Sequence, residues 1–348
     1  MIGLFGSHAV LGLALQGGGA HGAYTWGVLD ALLEHTDHPI GAISGTSAGA
    51  VNAVALAHGL VQGGRQGARN ALDRLWTAIG AAVPWSALGL VAKDGEQFTP
   101  AGSLMLLWVR SLAPSQANPM RIDPLRQVLS EQIDFEALRD SRAPRLHLAA
   151  THANTGRLRL FGNEEISIET VLASACLPMI QPAVVVDGEP YWDGGYSANP
   201  ALFPLLRDRA VSDVMLVVLS PWHFGETPQS LEAIRVRAAE IGFNAAFLRE
   251  MHWLVEAIAM SRHAWWPGRW GRRLRRLHWH VIDAHDALSH LPSDSKLIAH
   301  PSSLTRMRAA GHEQMLAWLS RSARDIGRRD SADLQHLFGQ HQAPARST

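Results

Sequence analysis

The chain has 348 residues, and its 31 Lys and Arg balance 31 Asp and Glu, so net charge gives no reason to expect a nucleic-acid partner. It has one cysteine, Cys176, which excludes an internal disulfide and makes a cytoplasmic protein the default expectation. The sequence has no run of about 18 or more uninterrupted apolar residues, so any contact with a membrane is expected to be peripheral.

The first third of the chain alternates patterns of strand and helix. Residues 11–16 are an apolar run with no Lys or Arg before it, which favours a buried first strand over a signal peptide. A glycine loop, residues 17–22, separates it from a helix. Residues 40–44 predict a second strand, followed by a serine turn and a further helix. This alternation predicts an α/β fold with a mostly parallel sheet, whose loops follow the carboxyl ends of strands.

The remainder adds shorter strands and then long helices. An Asp187-Gly188 turn predicts a hairpin that ends at Asp193, and a short late strand is expected at residues 279–282. We predict three regions: a catalytic α/β domain over residues 1–225, a helical C-terminal region packed on it over residues 226–321, and a disordered tail over residues 322–348. Residues 104–109 are denser in apolar side chains than a surface helix needs. We interpret them as a core helix, with a cover over an apolar site as the alternative.

Two loops carry candidate catalytic side chains. Ser47 is centred in a Gly-x-Ser-x-Gly turn between strand and helix, where Gly45 and Gly49 permit a strained nucleophile at the positive end of a helix. Asp193 follows the hairpin, and a partly dry site would raise its pKa and suit it to act as a base.

The glycine loop could supply the donors for an oxyanion. Consecutive glycines leave amide N–H groups unobstructed, and a glycine-rich turn that opens a helix suits an anion. An ester hydrolase needs a nucleophile, a base and such donors, and the three loops provide one each.

Together the three loops resemble the patatin-like phospholipase family, in its bacterial branch. The motifs are Gly17-Gly18-Gly19-Ala20-His21-Gly22, Gly45-Thr46-Ser47-Ala48-Gly49 and Asp193-Gly194-Gly195, in that order, with Ala173-Ser174-Ala175-Cys176-Leu177-Pro178 ahead of the aspartate and Ser295-Lys296 before the last long helix. The resemblance extends over roughly residues 11–319, and the three motifs together are far more specific than any one of them.

The resemblance implies a three-layer α/β/α sandwich and a Ser–Asp dyad without a catalytic histidine. Ser47 would be the nucleophile and Asp193 the base, with backbone N–H groups of Gly17, Gly18, Gly19 and Ala20 as the oxyanion hole. Gly22, Gly45, Gly49, Gly194 and Gly195 would support these loops. The family usually has a basic residue at the position of His21 and often an acidic one at Gln16. Any head-group or oxyanion role of that basic position therefore depends on whether His21 is charged.

Three other interpretations compete for the same residues. The glycine loop also matches a dinucleotide fingerprint, but Asp37 precedes the second strand where an acidic residue should end it. A Ser–His–Asp triad is the nearer competitor, and His223 is the first histidine to test. His278 and His280 with Asp283 and His285 are a weak metal signal, and we interpret these histidines and Cys176 as structural. No cofactor or metal is expected.

A basic and aromatic segment runs from Arg262 to Arg276, with no acidic residue between Glu256 and Asp283. Its arginines are Arg262, Arg269, Arg272, Arg273, Arg275 and Arg276, and its tryptophans are Trp265, Trp266 and Trp270. Arginine with tryptophan suits an anionic membrane surface, whereas a solvated basic face with inward tryptophans is the alternative.

The sequence therefore predicts a serine acyl hydrolase that cleaves carboxylic esters of lipids, of the phospholipase A or lysophospholipase type. Its partner is a lipid or acyl-ester substrate, and a peripheral position at a membrane or lipid body stays open. Two alternatives remain: a hydrolase of acylglycerols or a storage polyester with the same dyad, and a lipid-surface binding protein with a weak site.

Overall fold

The computed structural model describes residues 9–339 except residues 119, 121 and 223. The strands are β1 (Leu11–Leu15), β2 (Ile40–Thr46), β3 (Arg145–His152), β4 (Leu158–Phe161), β5 (Val184–Val186), β6 (Glu189–Asp193), β7 (Asp213–Val218) and β8 (His278–Asp283). The helices are α1 (Gly22–His35), α2 (Ala48–Ala81), α3 (Trp85–Leu88), α4 (Pro100–Ser111), α5 (Pro114–Ala117), α6 (Pro124–Gln132), α7 (Ile168–Ser174), α8 (Phe203–Arg207), α9 (Leu231–His263), α10 (Arg269–Arg276), α11 (His285–Leu288), α12 (Pro301–Ser322) and α13 (Leu334–Phe338). Short 3₁₀ turns occupy Gly19–His21, Glu136–Arg139, Gly194–Tyr196, Ser293–Leu297 and Ala323–Asp325.

The strands form one mixed sheet in the order β5-β6-β3-β2-β1-β7-β8, and β4 also pairs with β3. Strands β1, β2, β3, β7 and β8 are parallel, while β4 and β6 are antiparallel to β3 and β5 is antiparallel to β6. The Asp187-Gly188 hairpin is confirmed, and both of its turn residues have positive φ. The predicted α/β fold with a mostly parallel sheet is also confirmed.

Helices cover both faces of the sheet, which gives the three layers that the resemblance implies. Along β7, Met215 and Val217 pack into a core shared with α1, α2, α6, α7 and α12. The alternate residues Val214, Leu216 and Val218 pack into a second core with α8, α9 and α13. The alternation follows from the period of two residues along a strand, so β7 is buried on both faces.

The C-terminal region is more closely built into the sheet than the sequence predicts. Strand β8 pairs with β7 along its whole length, so residues 226–321 contribute an edge strand as well as helices. The predicted disorder from residue 322 is wrong for residues 322–339: Ser322 ends α12, and Leu334 and Phe338 are one helical turn apart and both buried. The Phe338 ring lies 5.9 Å from that of Phe247 on α9. Residues 340–348 lie outside the described residues.

The apolar run at residues 104–109 is not a core helix. It forms half of α4, in which Gly102 is the one buried residue, while Leu104, Met105, Leu107 and Trp108 are exposed. The interpretation as core was wrong because apolar composition does not specify what an apolar face will pack against.

The longest helices, α2 and α9, have 34 and 33 residues. The axis of α2 changes at Gly63 and Gly64, whose backbone angles are not helical. Within the described part of the chain, no helix combines the length and apolarity that a membrane span requires.

Helices α1 and α12 cross in direct backbone contact through a reciprocal pair of glycines. A Cβ atom at Gly311 would lie 2.0 Å from the carbonyl oxygen of Tyr24, and one at Gly27 would lie 1.9 Å from that of Arg308. Neither position has room for a methyl group unless the helices separate. Around this crossing, Asp30 of α1 bonds Arg308 of α12 at 2.9 Å.

We predict that Gly311→Ala lowers the free energy of unfolding by about 1–3 kcal/mol, because the added methyl group overpacks the crossing. Thermal unfolding followed by circular dichroism measures the change. Gly242→Ala is the matched control: Gly242 also lies inside a helix but has open space around its Cβ position. The control should be neutral or slightly stabilising, since alanine favours helix over glycine. Equal effects at the two positions would contradict the close crossing.

Candidate active site

Strand β3 brings the serine turn and the aspartate together along one of its two edges. Leu148 and Ala149 pair with β4 and also with β2, so β4 and β2 occupy opposite edges of β3. Ala150 pairs with β4 and with Asp193 at the end of β6, so β6 lies on the same edge as β2. The last residue of β2, Thr46, pairs with Ala149. The carboxyl ends of β2 and β6 therefore meet end to end, and Ser47 adjoins Asp193.

Ser47 occupies the turn between β2 and α2 in a rare backbone conformation. Its φ is 55° and its ψ is −123°, a region that L-residues seldom adopt and that is often found at functional sites. The residue is buried and occupies the N-cap position of α2, with no capping hydrogen bond from its side chain. The supporting glycines allow this turn: a Cβ atom at Gly49 would lie 2.1 Å from the carbonyl oxygen of Leu15, and one at Gly45 2.5 Å from that of Gly49.

Asp193 is fully buried, and burial raises its pKa to about 7 because the charged carboxylate loses its hydration. The Gly195 N–H donates to Oδ1 at 2.8 Å, and this bond and the nearby Ser47 hydroxyl favour the charged form and limit the rise in pKa. Within the described part of the chain, Oδ2 has no partner of ordinary hydrogen-bond geometry. Asp193 thus has one carboxylate oxygen held by the backbone and one without a partner, in contact range of a hydroxyl.

A single segment at the C-terminal end of α7 holds the backbones of both residues. The buried Ser174 Oγ accepts a hydrogen bond from the Ser47 N–H at 2.9 Å. Two residues later the carbonyl oxygen of Cys176 accepts from the Asp193 N–H at 2.8 Å. The relative position of Ser47 and Asp193 therefore depends on this segment as well as on β3.

Of the four predicted oxyanion donors in the glycine loop, one N–H already has a hydrogen-bond partner and three do not. The Gly17 N–H already donates to Asn199 Oδ1 at 2.7 Å, so it is not available to an oxyanion. The N–H groups of Gly18, Gly19 and Ala20 make no hydrogen bond to another described residue. The loop also lies against the serine turn, since a Cβ atom at Gly17 would be 2.7 Å from the Ser47 Cβ.

The other supporting glycines mark close approaches between the loops and their surroundings. A Cβ atom at Gly22 would lie 2.6 Å from the Ala48 Cβ, and one at Gly194 would lie 2.2 Å from the carbonyl oxygen of Ala149. At Gly195 a Cβ atom would meet the ring of Phe243 on α9. These glycines let three loops and two helices converge on Ser47.

His21 is not a charged residue in this protein. Burial, together with the smaller effect of the positive charge of Lys296, lowers its pKa to about 3. Its Nε2 lies 2.7 Å from Ser295 Oγ. A cationic role borrowed from the family's basic position is therefore not available to His21 at neutral pH. Gln16 has a structural role, because its Oε1 accepts from the N–H groups of Leu219 and Ser220 after β7.

The competing interpretations are placed away from this site or outside the described residues. Asp37 lies before β2 begins, at the opposite end of that strand from the glycine loop. A dinucleotide site would need the acidic residue at the carboxyl end of β2. His223 lies outside the described residues, so its relation to Ser47 stays a prediction. Cys176 is buried, and burial raises the pKa of its thiol to about 12.

The histidines of β8 do not converge on a metal position. His280 is buried and contacts Asp213 at 3.0 Å and Ser331 at 2.8 Å, whereas His278 lies beside Asp330. Elsewhere among the described residues, Glu34, His35 and His312 could approach one ion, but Glu34 is already paired with Arg69 at 2.8 Å.

Sequence reasoning missed the roles of Ser174 and Asn199. Ser174 was part of a motif that carried the resemblance, and Asn199 follows Asp193 by six residues without a pattern of its own. Both are fully buried polar side chains that accept a backbone N–H from a distant loop. Such partners are set by tertiary contacts, so no local signal identified them.

Comparison with known proteins places these loops in a family. The family model of the patatin-like phospholipases matches residues 13–206, more than half of the chain; the match begins within β1 and includes the glycine loop, the serine turn and the Asp-Gly-Gly loop. No curated protein sequence matches the chain significantly.

Two solved structures are similar at low sequence identity. VipD from Legionella pneumophila is 16% identical, with a TM-score of 0.39, and the alignment covers 90% of this chain and 67% of that one. ExoU of Pseudomonas aeruginosa, in complex with SpcU, is 16% identical with a TM-score of 0.27, covering 95% and 76%. Both TM-scores are below 0.5, so the assignment rests on the family model. The chain belongs to the patatin-like phospholipase family of lipid acyl hydrolases.

Proposed function

We propose that the chain hydrolyses carboxylic ester bonds of lipids, as a phospholipase A or lysophospholipase, through a dyad of Ser47 and Asp193. The observation that carries the proposal is the meeting of β2 and β6 on one edge of β3, which sets the Ser47 hydroxyl beside a buried carboxylate. A serine needs an adjacent base to become a nucleophile, and an aspartate whose pKa is near 7 can accept its proton at neutral pH.

In the first half-reaction, Asp193 accepts the proton of Ser47 while Oγ attacks the acyl carbonyl. The negative charge that develops on the carbonyl oxygen is stabilised by the free N–H groups of Gly18, Gly19 and Ala20 and by the N-terminus of α2. Collapse breaks the ester bond, and the alcohol leaves with the proton that Asp193 held. The acyl group stays on Ser47 as an ester.

In the second half-reaction, Asp193 accepts a proton from water, and the resulting hydroxide attacks the acyl-enzyme. The same donors stabilise the second oxyanion. The fatty acid leaves, and the proton returns to Ser47, so no other co-reactant is required. The Gly195 N–H holds Asp193 Oδ1 throughout, which leaves Oδ2 to exchange protons.

Hydrolysis of an ester without an anionic head group is the second candidate. Its support is that His21, at the position where the family usually has a basic residue, is buried and neutral, and that the nearby Lys296 is paired with Glu240 at 3.6 Å. Relative kcat/KM values on a phospholipid and a monoacylglycerol of equal chain length distinguish the two substrates.

We predict that Ser47→Ala abolishes hydrolysis of a short-chain p-nitrophenyl ester and that Asp193→Asn lowers kcat by about 10²–10⁴-fold, the usual contribution of a general base. His223→Gln is the matched control and should keep its activity. A fluorophosphonate probe should label the parent protein and not Ser47→Ala. Loss of activity in His223→Gln together with retention in Asp193→Asn would favour a triad instead.

The pH profile should report the state of Asp193. Because its pKa is raised to about 7, the carboxyl is protonated and inactive as a base below that pH and ionised above it. We therefore expect kcat/KM on a soluble ester to rise with pH and to reach half its plateau near pH 7. His21 cannot produce this limb, since its pKa is about 3. A profile that stays flat across neutral pH would contradict the role of Asp193.

Ser174 should act as a positioning residue for the nucleophile. Ser174→Ala leaves the buried Ser47 N–H without an acceptor, a cost of about 1–3 kcal/mol, and we expect kcat to fall roughly tenfold to a hundredfold with KM little changed. Ser44→Ala is the matched control, since it removes an equally buried hydroxyl that bonds Ala201 O and not Ser47. Similar losses of melting temperature in both variants, with kcat lowered only in Ser174→Ala, separate positioning from stability. Equal kcat in the two variants would exclude the role.

A further inference from the structure

Two exposed surfaces of this protein could contact lipid. One lies at the end of the sheet where the parallel strands begin, and the other lies at the end where they finish. The segment from Arg262 to Arg276 ends two residues before β8 begins. Arg273 donates to the carbonyl oxygens of Leu206 and Asp208, which precede β7. This segment therefore lies at the end of the sheet where the parallel strands begin.

The catalytic loops lie at the other end of the sheet, where the parallel strands finish. The glycine loop follows β1 and Ser47 follows β2. A six-residue strand such as β7 rises ~3.3 Å per residue, so the two ends are roughly 20 Å apart. A protein docked on a membrane through the arginine and tryptophan segment would hold Ser47 on the side away from the lipid.

The catalytic end of the sheet has an exposed apolar surface of its own on α4. The Leu107 side chain is 60% exposed and that of Trp108 57%, and Leu104 and Met105 are also exposed. The helix has one charged residue, Arg110, and it is paired with Asp294 at 2.8 Å. Such an uninterrupted apolar face is unusual on the surface of a soluble protein and commonly marks an interaction site.

Contacts tie α4 to the oxyanion loop. Asp294, the partner of Arg110, belongs to the turn Ser293–Leu297. The next residue in that turn, Ser295, contacts His21 Nε2 at 2.7 Å, and His21 ends the 3₁₀ turn that contains Gly19 and Ala20. Two side-chain contacts, Arg110 with Asp294 and Ser295 with His21, therefore connect α4 to the loop that holds the predicted oxyanion donors.

Two more apolar side chains are exposed on segments next to Asp193. Met179 is three residues after Cys176, and the carbonyl oxygen of Cys176 accepts a hydrogen bond from the Asp193 N–H. Tyr196 is three residues after Asp193. Both are exposed. We call these side chains the apolar rim: Leu104, Met105, Leu107, Trp108, Met179 and Tyr196.

We propose that the apolar rim docks the protein on a phospholipid bilayer, with Ser47 facing the membrane. The inference rests on the proposed function, because an acyl ester has to leave the bilayer at the end of the sheet that carries Ser47. The contacts through Asp294 and Ser295 join α4 to the glycine loop, and α4 has no unpaired charge that would be buried against acyl chains. Leucine and tryptophan suit this boundary, since tryptophan combines an apolar ring with a polar N–H.

The two surfaces predict different salt dependence. Burial of apolar side chains in a bilayer is not screened by salt, whereas attraction between arginines and anionic lipids is. Docking through the rim should therefore occur on zwitterionic vesicles and persist at high salt.

Flotation with phosphatidylcholine vesicles at low and high salt tests the proposal. All proteins carry Ser47→Ala, so that the vesicles are not hydrolysed. The rim variant combines Leu104→Ser, Leu107→Ser and Trp108→Ser. The matched control combines Arg269→Gln, Arg272→Gln and Arg276→Gln at the opposite end of the sheet. We expect the parent and the arginine variant to float equally at both salt concentrations and the rim variant to lose at least about tenfold in partition coefficient.

Three results would overturn the proposal. One is unchanged flotation of the rim variant; another is loss of flotation in the arginine variant alone. The third is a parent protein that does not float but sediments as a dimer, with the rim variant monomeric, because the rim would then bind a second copy. Near-ultraviolet circular dichroism checks that the variants are folded, which the exposure of the substituted side chains favours.

A second measurement separates this proposal from the proposed function. In proteins that retain Ser47, the ratio of turnover on vesicle phospholipid to turnover on a soluble ester should fall in the rim variant and not in the arginine variant. If Ser47 proves dispensable for both substrates, the proposed function fails, while flotation of the Ser47→Ala proteins still decides whether the rim binds lipid.

Discussion

The arrangement of this protein depends on one edge of β3, which pairs with two strands placed end to end. Strand β2 approaches from one direction and β6 from the other, and their carboxyl ends meet beside Ala149 and Ala150. Because the two strands come from distant parts of the chain, this pairing is what makes Ser47 and Asp193 neighbours. Further hydrogen bonds hold the two residues where β3 places them. Ser174 and Cys176 bond the backbones of Ser47 and Asp193, and Asn199 bonds the neighbouring glycine loop.

Burial gives the aspartate its chemistry, and it also imposes a cost. A carboxylate removed from water is costly to ionise, and the raised pKa of Asp193 measures that cost. The fold limits the cost with one backbone N–H from Gly195, which leaves the second oxygen able to take a proton. Beside the carboxylate, the buried Ser174 and Asn199 side chains each accept a backbone N–H, from Ser47 and Gly17, while Asn199 Nδ2 and His21 Nδ1 have no hydrogen-bond partner among the described residues.

The sheet also gives the molecule a direction. The end of the sheet at which the parallel strands finish carries Ser47 and, on the nearby helix α4, exposed apolar side chains, while the opposite end carries the arginine-rich helix α10. Both surfaces contain features that attract lipid when considered alone. The topology of the parallel strands keeps the two surfaces apart. Every such strand begins at the end of the sheet that carries α10 and finishes at the end that carries Ser47.

The sequence by itself determined the local elements, since helix and strand periodicity, caps and turns depend on neighbouring residues. It predicted the strand before the glycine loop, the turn at Ser47, the Asp187-Gly188 hairpin and the α/β fold, and the three motifs indicated the family that the family model confirms.

Tertiary structure alone decided which groups have partners, because hydrogen bonding and burial depend on residues far away in the chain. The Gly17 N–H is taken by Asn199, and His21 is neutral because it is buried near Lys296. The run at residues 104–109 is exposed and Phe338 is buried, against expectation in both cases. Composition indicates that a side chain is apolar, but only the packing of distant elements determines whether a protein surface or solvent lies opposite it.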